Sequence, residues 1–166
     1  MTSTNSSRFA DAQAARDAVA LARPGIEAAL RNPEISGLGV LHLVVLDPAA
    51  RPTDCSFDGA VLHEQSLGSG QWDVDYAALA RAKARLSWWH GMDSRRLQLH
   101  EPQRLQDPDT LLWGSVCLDG IVVAASGAQP AWDEAFSLCV AGHLRALAWQ
   151  RAQDAREAAS GARRQP

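Results

Sequence analysis

Two apolar runs that meet at Asp119-Gly120 constrain this chain more than any other feature. They lie in LLWGSVCLDGIVVAASGAQPAWDEAF, from Leu111 to Phe136. A two-residue link between strands needs positive φ at both positions, which glycine adopts freely and aspartate tolerates. The stretch therefore predicts a tight hairpin whose register is set by the turn. Leu118 faces Ile121, Val116 faces Val123 and Gly114 faces Ala125 on one side. Cys117 with Val122, Ser115 with Ala124 and Trp113 with Ser126 fall on the other. The second run fades from Ile121, Val122 and Val123 into Ala124, Ala125, Ser126 and Gly127. Either another backbone packs closely there, or a ligand or subunit fits against these small residues.

The rest of the chain supplies partners for that hairpin. Phe9 to Leu30 is alanine-rich with helical spacing, and Pro24-Gly25 predicts a kink or a restart within it. Val40 to Leu46 is a continuous apolar run with His42 inside it, which reads as a strand covered on both faces. After a loop, AVLHEQSL reads as a short strand carrying His63 and Glu64. A helix is expected from about Asp73 to Trp89, with acidic residues first and basic ones later, as the helix dipole favours. Its apolar stripe would be Tyr76, Leu79, Ala82, Leu86 and Trp89, and Gly91 would end it. RRLQLH suggests another short strand. A last helix runs from about Pro130 to at least Trp149, with Trp132, Phe136, Val140, Leu144 and Leu147 as its stripe. Residues 1–8 and 160–166 read as disordered ends around one domain over 9–159. The one clear strand connection is a hairpin rather than a crossover, so the expected class is α+β, an antiparallel sheet with helices packed on it.

Composition narrows the function. A chain of 166 residues with net charge −3 has no basic footprint for nucleic acid. Three cysteines, Cys55, Cys117 and Cys139, are an odd number without paired spacing, which suits reduced thiols in a cytoplasmic setting, with Cys117 and Cys139 expected as ordinary buried thiols. The N-terminus lacks the apolar core of a secretory signal, and no apolar run is long enough to span a membrane. There is no Cys-x-x-Cys pair, no P-loop, no Gly-x-Ser-x-Gly elbow, and His63-Glu64 lacks the second histidine of a zinc-protease motif.

The block GSVCLDGIVVAASGAQPAWDEA resembles the signature of the GlcG/HbpS-like heme-binding family, also found as the C-terminal domain of PduO-type proteins. Gly114, Asp119-Gly120, Ser126-Gly127 and Asp133-Glu134 carry the likeness. A second block, ARAKARLSWWHGMDS, is similar to the family's Ala-x-x-Lys-Ala helix through Ala80, Lys83 and Ala84. His90 falls on a family aromatic and Ser94 on a family threonine. The likeness covers roughly Gly39 to Leu147. Asp47-Pro48-Ala49-Ala50 stands where the family has Asp-x-Gly-Gly, HEQSLGSG replaces its Arg-Met-Asp-Gly, and Ala124 and Ala125 replace glycines.

What the resemblance implies is a profilin-like domain with a sheet of about five strands, assembling into a homo-oligomer, with heme or a similar flat cofactor as ligand. The candidate binding residues are Trp88, Trp89, His90 and Ser94. His90 would be the iron ligand, since iron takes neutral imidazole, and the tryptophans would be flat walls. The alternative for His90 is a half-buried helix C-cap, and for Ser94 a turn serine. His42 is expected as a core histidine bonded to a backbone carbonyl. Six tryptophans exceed what a core of this size needs and suggest a subunit interface. Three functions follow: a binding module for a small molecule or cofactor, an enzyme using His90 or His63 as general base, or an oligomer with no ligand.

Overall fold

The computed structural model describes residues 6–162. Within them α1 (Ala12–Leu30), β1 (Val40–Leu46), the short α2 (Phe57–Ala60), β2 (Val61–Gly68), α3 (Tyr76–His90), α4 (Ser94–His100), β3 (Ser115–Leu118), β4 (Ile121–Ser126) and α5 (Pro130–Ala162) follow in order. The strands form one antiparallel sheet in the order β2-β1-β4-β3. The fold is α+β. One face of the sheet is packed against α1 and α5 through Leu41, Leu43, Val45, Val116 and Val123. The other face, with Val44, Leu46, Val122 and Ala124, takes α3 through Ala80 and Ala84.

The hairpin has the expected register throughout β3 and β4, from Leu118 opposite Ile121 to Ser115 opposite Ala124. Asp119 has φ 51° and Gly120 φ 85°, the pair of positive values that a two-residue link demands. β1 is buried along its whole length, as a strand covered on both faces should be.

Four strands are described rather than five. The segment 95–100, expected as a strand, is part of helix α4. Its two leucines do not share one environment: Leu97 is fully buried and Leu99 is 56% exposed. A short helix satisfies that, while an alternating strand would bury both or neither.

α1 passes through Pro24 without a break. Pro24 leaves the carbonyl four residues back without its N–H partner, but Ala20 and Pro24 both lie on the exposed side, where that carbonyl is open to solvent. α5 continues through residues 160–162, beyond the point where the tail was expected to lose order. Ser6 and Ser7 are held by the Asp47 carboxylate; residues 1–5 and 163–166, also expected as disordered, lie outside the described residues.

The largest departure concerns the face that α3 buries. Its buried residues are Ala80, Lys83, Ala84, Leu86 and Ser87, so of the expected stripe only Leu86 is buried. Trp89 is 58% exposed. Small side chains let the helix lie close over the small residues of β4, and that closeness is what the Ala-Ala-Ser-Gly fade in the sequence provides. Among the described residues, no helix is long and apolar enough to cross a membrane.

Candidate functional site

Where α3 and α5 reach the open end of the hairpin from opposite faces, a buried polar seam replaces the apolar core. The Lys83 ammonium donates to Asp133 Oδ2 at 2.8 Å, the Ala125 carbonyl at 3.0 Å and Ser126 Oγ at 3.2 Å. All three of its protons are used. Asp133 accepts in addition from the Ala128 N–H through Oδ1. Burial pushes the Asp133 carboxyl up to about 6, against the pull of Lys83, and the same burial lowers the Lys83 ammonium from its usual range. Gly114 lies at the centre: a Cβ there would stand 2.7 Å from Asp133 Cβ and 2.9 Å from Lys83 Nζ. Ser137 donates to the Gly114 carbonyl, and Ser87, Ser115 and the Lys83 carbonyl complete the seam. With every partner supplied internally, this cluster has nothing left over for a ligand.

The four candidate cofactor residues sit near one another in sequence but point to different duties. The Ser94 hydroxyl is fully buried; it accepts from the N–H groups of Gly114 and Ser115 and donates to the Ser115 carbonyl. It seals the outer edge of β3 together with Asp93, whose carboxylate takes the Cys117 N–H at 2.7 Å. Trp88 packs edge-on against Phe57 and donates its indole N–H to the Ala50 carbonyl. Trp89 is free and exposed. The His90 side chain is only 6% exposed, 3.6 Å from Asp109 Oδ2, and its Nε2 has no hydrogen-bond partner. Arg104 donates to the His90 carbonyl, holding the segment after α4 over this corner. As a test of fit to a heme-class cofactor, His90 and Trp89 offer a spare imidazole nitrogen and a flat surface, whereas Ser94 and Trp88 are already committed.

A third constellation was not visible in the sequence as a unit. On β1, His42 bonds through Nδ1 to the Ser66 hydroxyl of β2 at 3.0 Å, not to a backbone carbonyl as expected. Its Nε2 faces Glu64 Oε1 at 3.7 Å, and Arg81 holds the other Glu64 oxygen at 2.8 Å. Trp72 stands edge-on to the imidazole. Burial lowers the His42 pKa, with Glu64 opposing. The signal that could have found this site is alternation: in paired strands, 64 and 66 lie on the same face as 42 once the register is known. His63 instead contacts Gln65.

Other expected features fall elsewhere. Cys117 is half-buried and Cys139 exposed, so neither is the buried thiol expected, and Cys55 is half-buried. No group of three or more His, Cys, Asp or Glu among the described residues is placed to hold a metal ion. Two surface hollows, of about 540 and 510 Å³, lie beside α1 at Leu38–Gly39 and along α5 from Gly142 to Gln150. No protein-family model matches the chain, and no curated protein matches it.

Proposed function

We propose that this is a profilin-like domain of the GlcG/HbpS type acting as a non-catalytic binding module within a homo-oligomer, with a flat cofactor of the heme class as its ligand. The observation that carries the ligand is His90 Nε2, an imidazole nitrogen without a partner on a side chain only 6% exposed, beside the exposed indole of Trp89. Leaving such a group unsatisfied costs about 1–3 kcal/mol, and neutral imidazole is a ligand for heme iron. When bound, the cofactor would supply the redox or sensing chemistry; His90 would hold it and Trp89 would shield one side from water. Self-association is supported by the tryptophans. Trp72, Trp89, Trp132 and Trp149 are between 40% and 62% exposed, and a monomer rarely leaves that much aromatic surface in water.

The test is a hemin titration followed in the Soret region. Wild type is expected to give a saturable band, with Trp89→Ala weakening it and His90→Ala shifting or abolishing it. A titration curve matching that of an unrelated protein of similar charge would remove the heme reading.

The enzymatic alternative draws support at His42 rather than at His63 or His90. With its proton on Nε2 toward Glu64, His42 would accept the Ser66 hydroxyl proton on Nδ1 as Ser66 Oγ adds to an ester carbonyl. The proton would then leave with the alcohol, and water would release the acyl group. A nitrophenyl acetate burst lost in Ser66→Ala and kept in Ser69→Ala would establish this reading; no burst in wild type would end it.

A further inference from the structure

The two edges of the sheet are treated differently. On β3, the N–H and C=O of Ser115 are taken by the Ser94 hydroxyl and the N–H of Cys117 by the Asp93 carboxylate. On β2, among the described residues, no hydrogen bond outside the ladder with β1 reaches a backbone atom of residues 62–68. An edge strand of that length is a template for pairing unless something blunts it. β2 is limited at one end by the irregularity opposite Val45/Leu46 and at the other by Gly68, with φ 86°. Between them, His63 to Leu67 is a regular extended run with no proline and no lysine.

We infer that β2 is the surface through which two copies of this chain pair, edge to edge and antiparallel, about a two-fold axis at Gln65. The inference rests on the self-association proposed above and names its site. The sequence of the run selects a second copy as the occupant. Antiparallel pairing centred on Gln65 sets Gln65 against its equivalent, Glu64 against Ser66 and His63 against Leu67. The one carboxylate therefore meets a hydroxyl and never its own equivalent, so no like charges oppose across the pair. Glu64 is also drawn toward α3 by Arg81, which keeps its charge off the strand's open flank. An unrelated extended peptide would use the same backbone groups, but nothing on β2 selects one, whereas the run is complementary to itself. The product is a continuous eight-stranded sheet with the sealed β3 strands as its outer edges.

The experiment combines mass and cross-linking. By light scattering at micromolar protein, wild type and Gln65→Thr are expected to be dimeric or a multiple of the dimer. Gln65→Lys, which sets two ammonium groups opposite each other, is expected to halve that mass while keeping the wild-type circular dichroism. In a background with Cys55, Cys117 and Cys139 changed to alanine, Gln65→Cys should oxidise to a covalent dimer, because Cα atoms facing across paired strands lie within disulfide reach. Ala135→Cys on the outer face of α5 is the control and should oxidise at least tenfold more slowly. An oligomeric wild type whose mass survives Gln65→Lys, or whose Gln65→Cys form cross-links no faster than the control, overturns β2 as the interface and leaves self-association to another surface. A monomeric wild type overturns both.

Discussion

Lys83 and Asp133 meet at 2.8 Å with side chains 3% exposed, and they come from helices on opposite faces of the sheet. The pair closes the hairpin's open end, where the two layers touch around Gly114 rather than through it. Such a pair is costly to desolvate and costlier still to break on one side only. Lys83→Met should destabilise the domain by about 3–5 kcal/mol, since it strands a buried carboxylate. The double change Lys83→Met with Asp133→Leu should recover most of that loss. Urea denaturation of the single and double variants checks it, and additive losses would mean the two residues do not act as a pair.

The same pair has a pH signature. Burial raises the Asp133 carboxyl from its ordinary 3.8 to about 6. Between those values the folded state binds more protons at this group than the unfolded chain does, so its contribution to stability falls as pH rises and levels off above about 6. The unfolding free energy of wild type minus that of Asp133→Asn should therefore decline from pH 4 to 6 and stay flat from 7 to 8. A difference that climbs over the acid range would show an ordinary, depressed carboxylate.

Two glycines separate backbone strain from crowding. A Cβ at Gly120 meets nothing within 4 Å, so the main cost of Gly120→Val is φ 85° for a β-branched residue, at least about 1 kcal/mol. Gly114→Ala combines φ 127° with contacts under 3 Å to Asp133, Ala125 and Lys83, and should cost about 3 kcal/mol or more. Thermal melts of the two variants should rank them in that order.

Much of this was legible before the fold was known. The Asp-Gly turn dictated its own register, and the fade into Ala124-Ala125-Ser126-Gly127 announced a close approach. What hid was anything that depends on a partner distant in the chain. Lys83 reads as a surface residue on a helix until Asp133 arrives from fifty residues away, so the tryptophans and leucines of α3 looked like its inner face. Ser94 looked like a turn serine or a ligand because the β3 edge that it seals has no signal at residues 93 and 94. The His42 cluster needed the β1–β2 register, which no short turn fixes.

Ser94 gives a prediction of its own. Its hydroxyl serves two N–H groups and one carbonyl of the β3 edge, so Ser94→Ala leaves buried backbone groups unsatisfied and should cost about 2 kcal/mol. Because that hydroxyl has no spare capacity, the same change should leave the Soret maximum of any hemin complex where it was. A shifted maximum with unchanged stability would put Ser94 at the ligand instead.

His42 offers the last measurement. Burial lowers its pKa below 6.5, Glu64 and Asp75 raise it, and Arg81 of α3 lowers it. Neutral imidazole is thus the form at pH 7. As pH falls through 6.5 the unfolded chain takes up this proton first, so the folded state loses stability until the lower native pKa is passed. In an NMR titration of the imidazole protons, His42 should titrate below 6.5 in wild type. It should move lower still in Glu64→Gln, where the only facing carboxylate on β2 is gone. His42→Gln should remove its share of the acid-side loss of stability, while its amide can keep a bond to Ser66. A native midpoint above 7 would mean that the His42–Glu64 pair is already mostly charged at neutral pH. That would deny Ser66 its base, and the enzymatic reading of this face would fall with it.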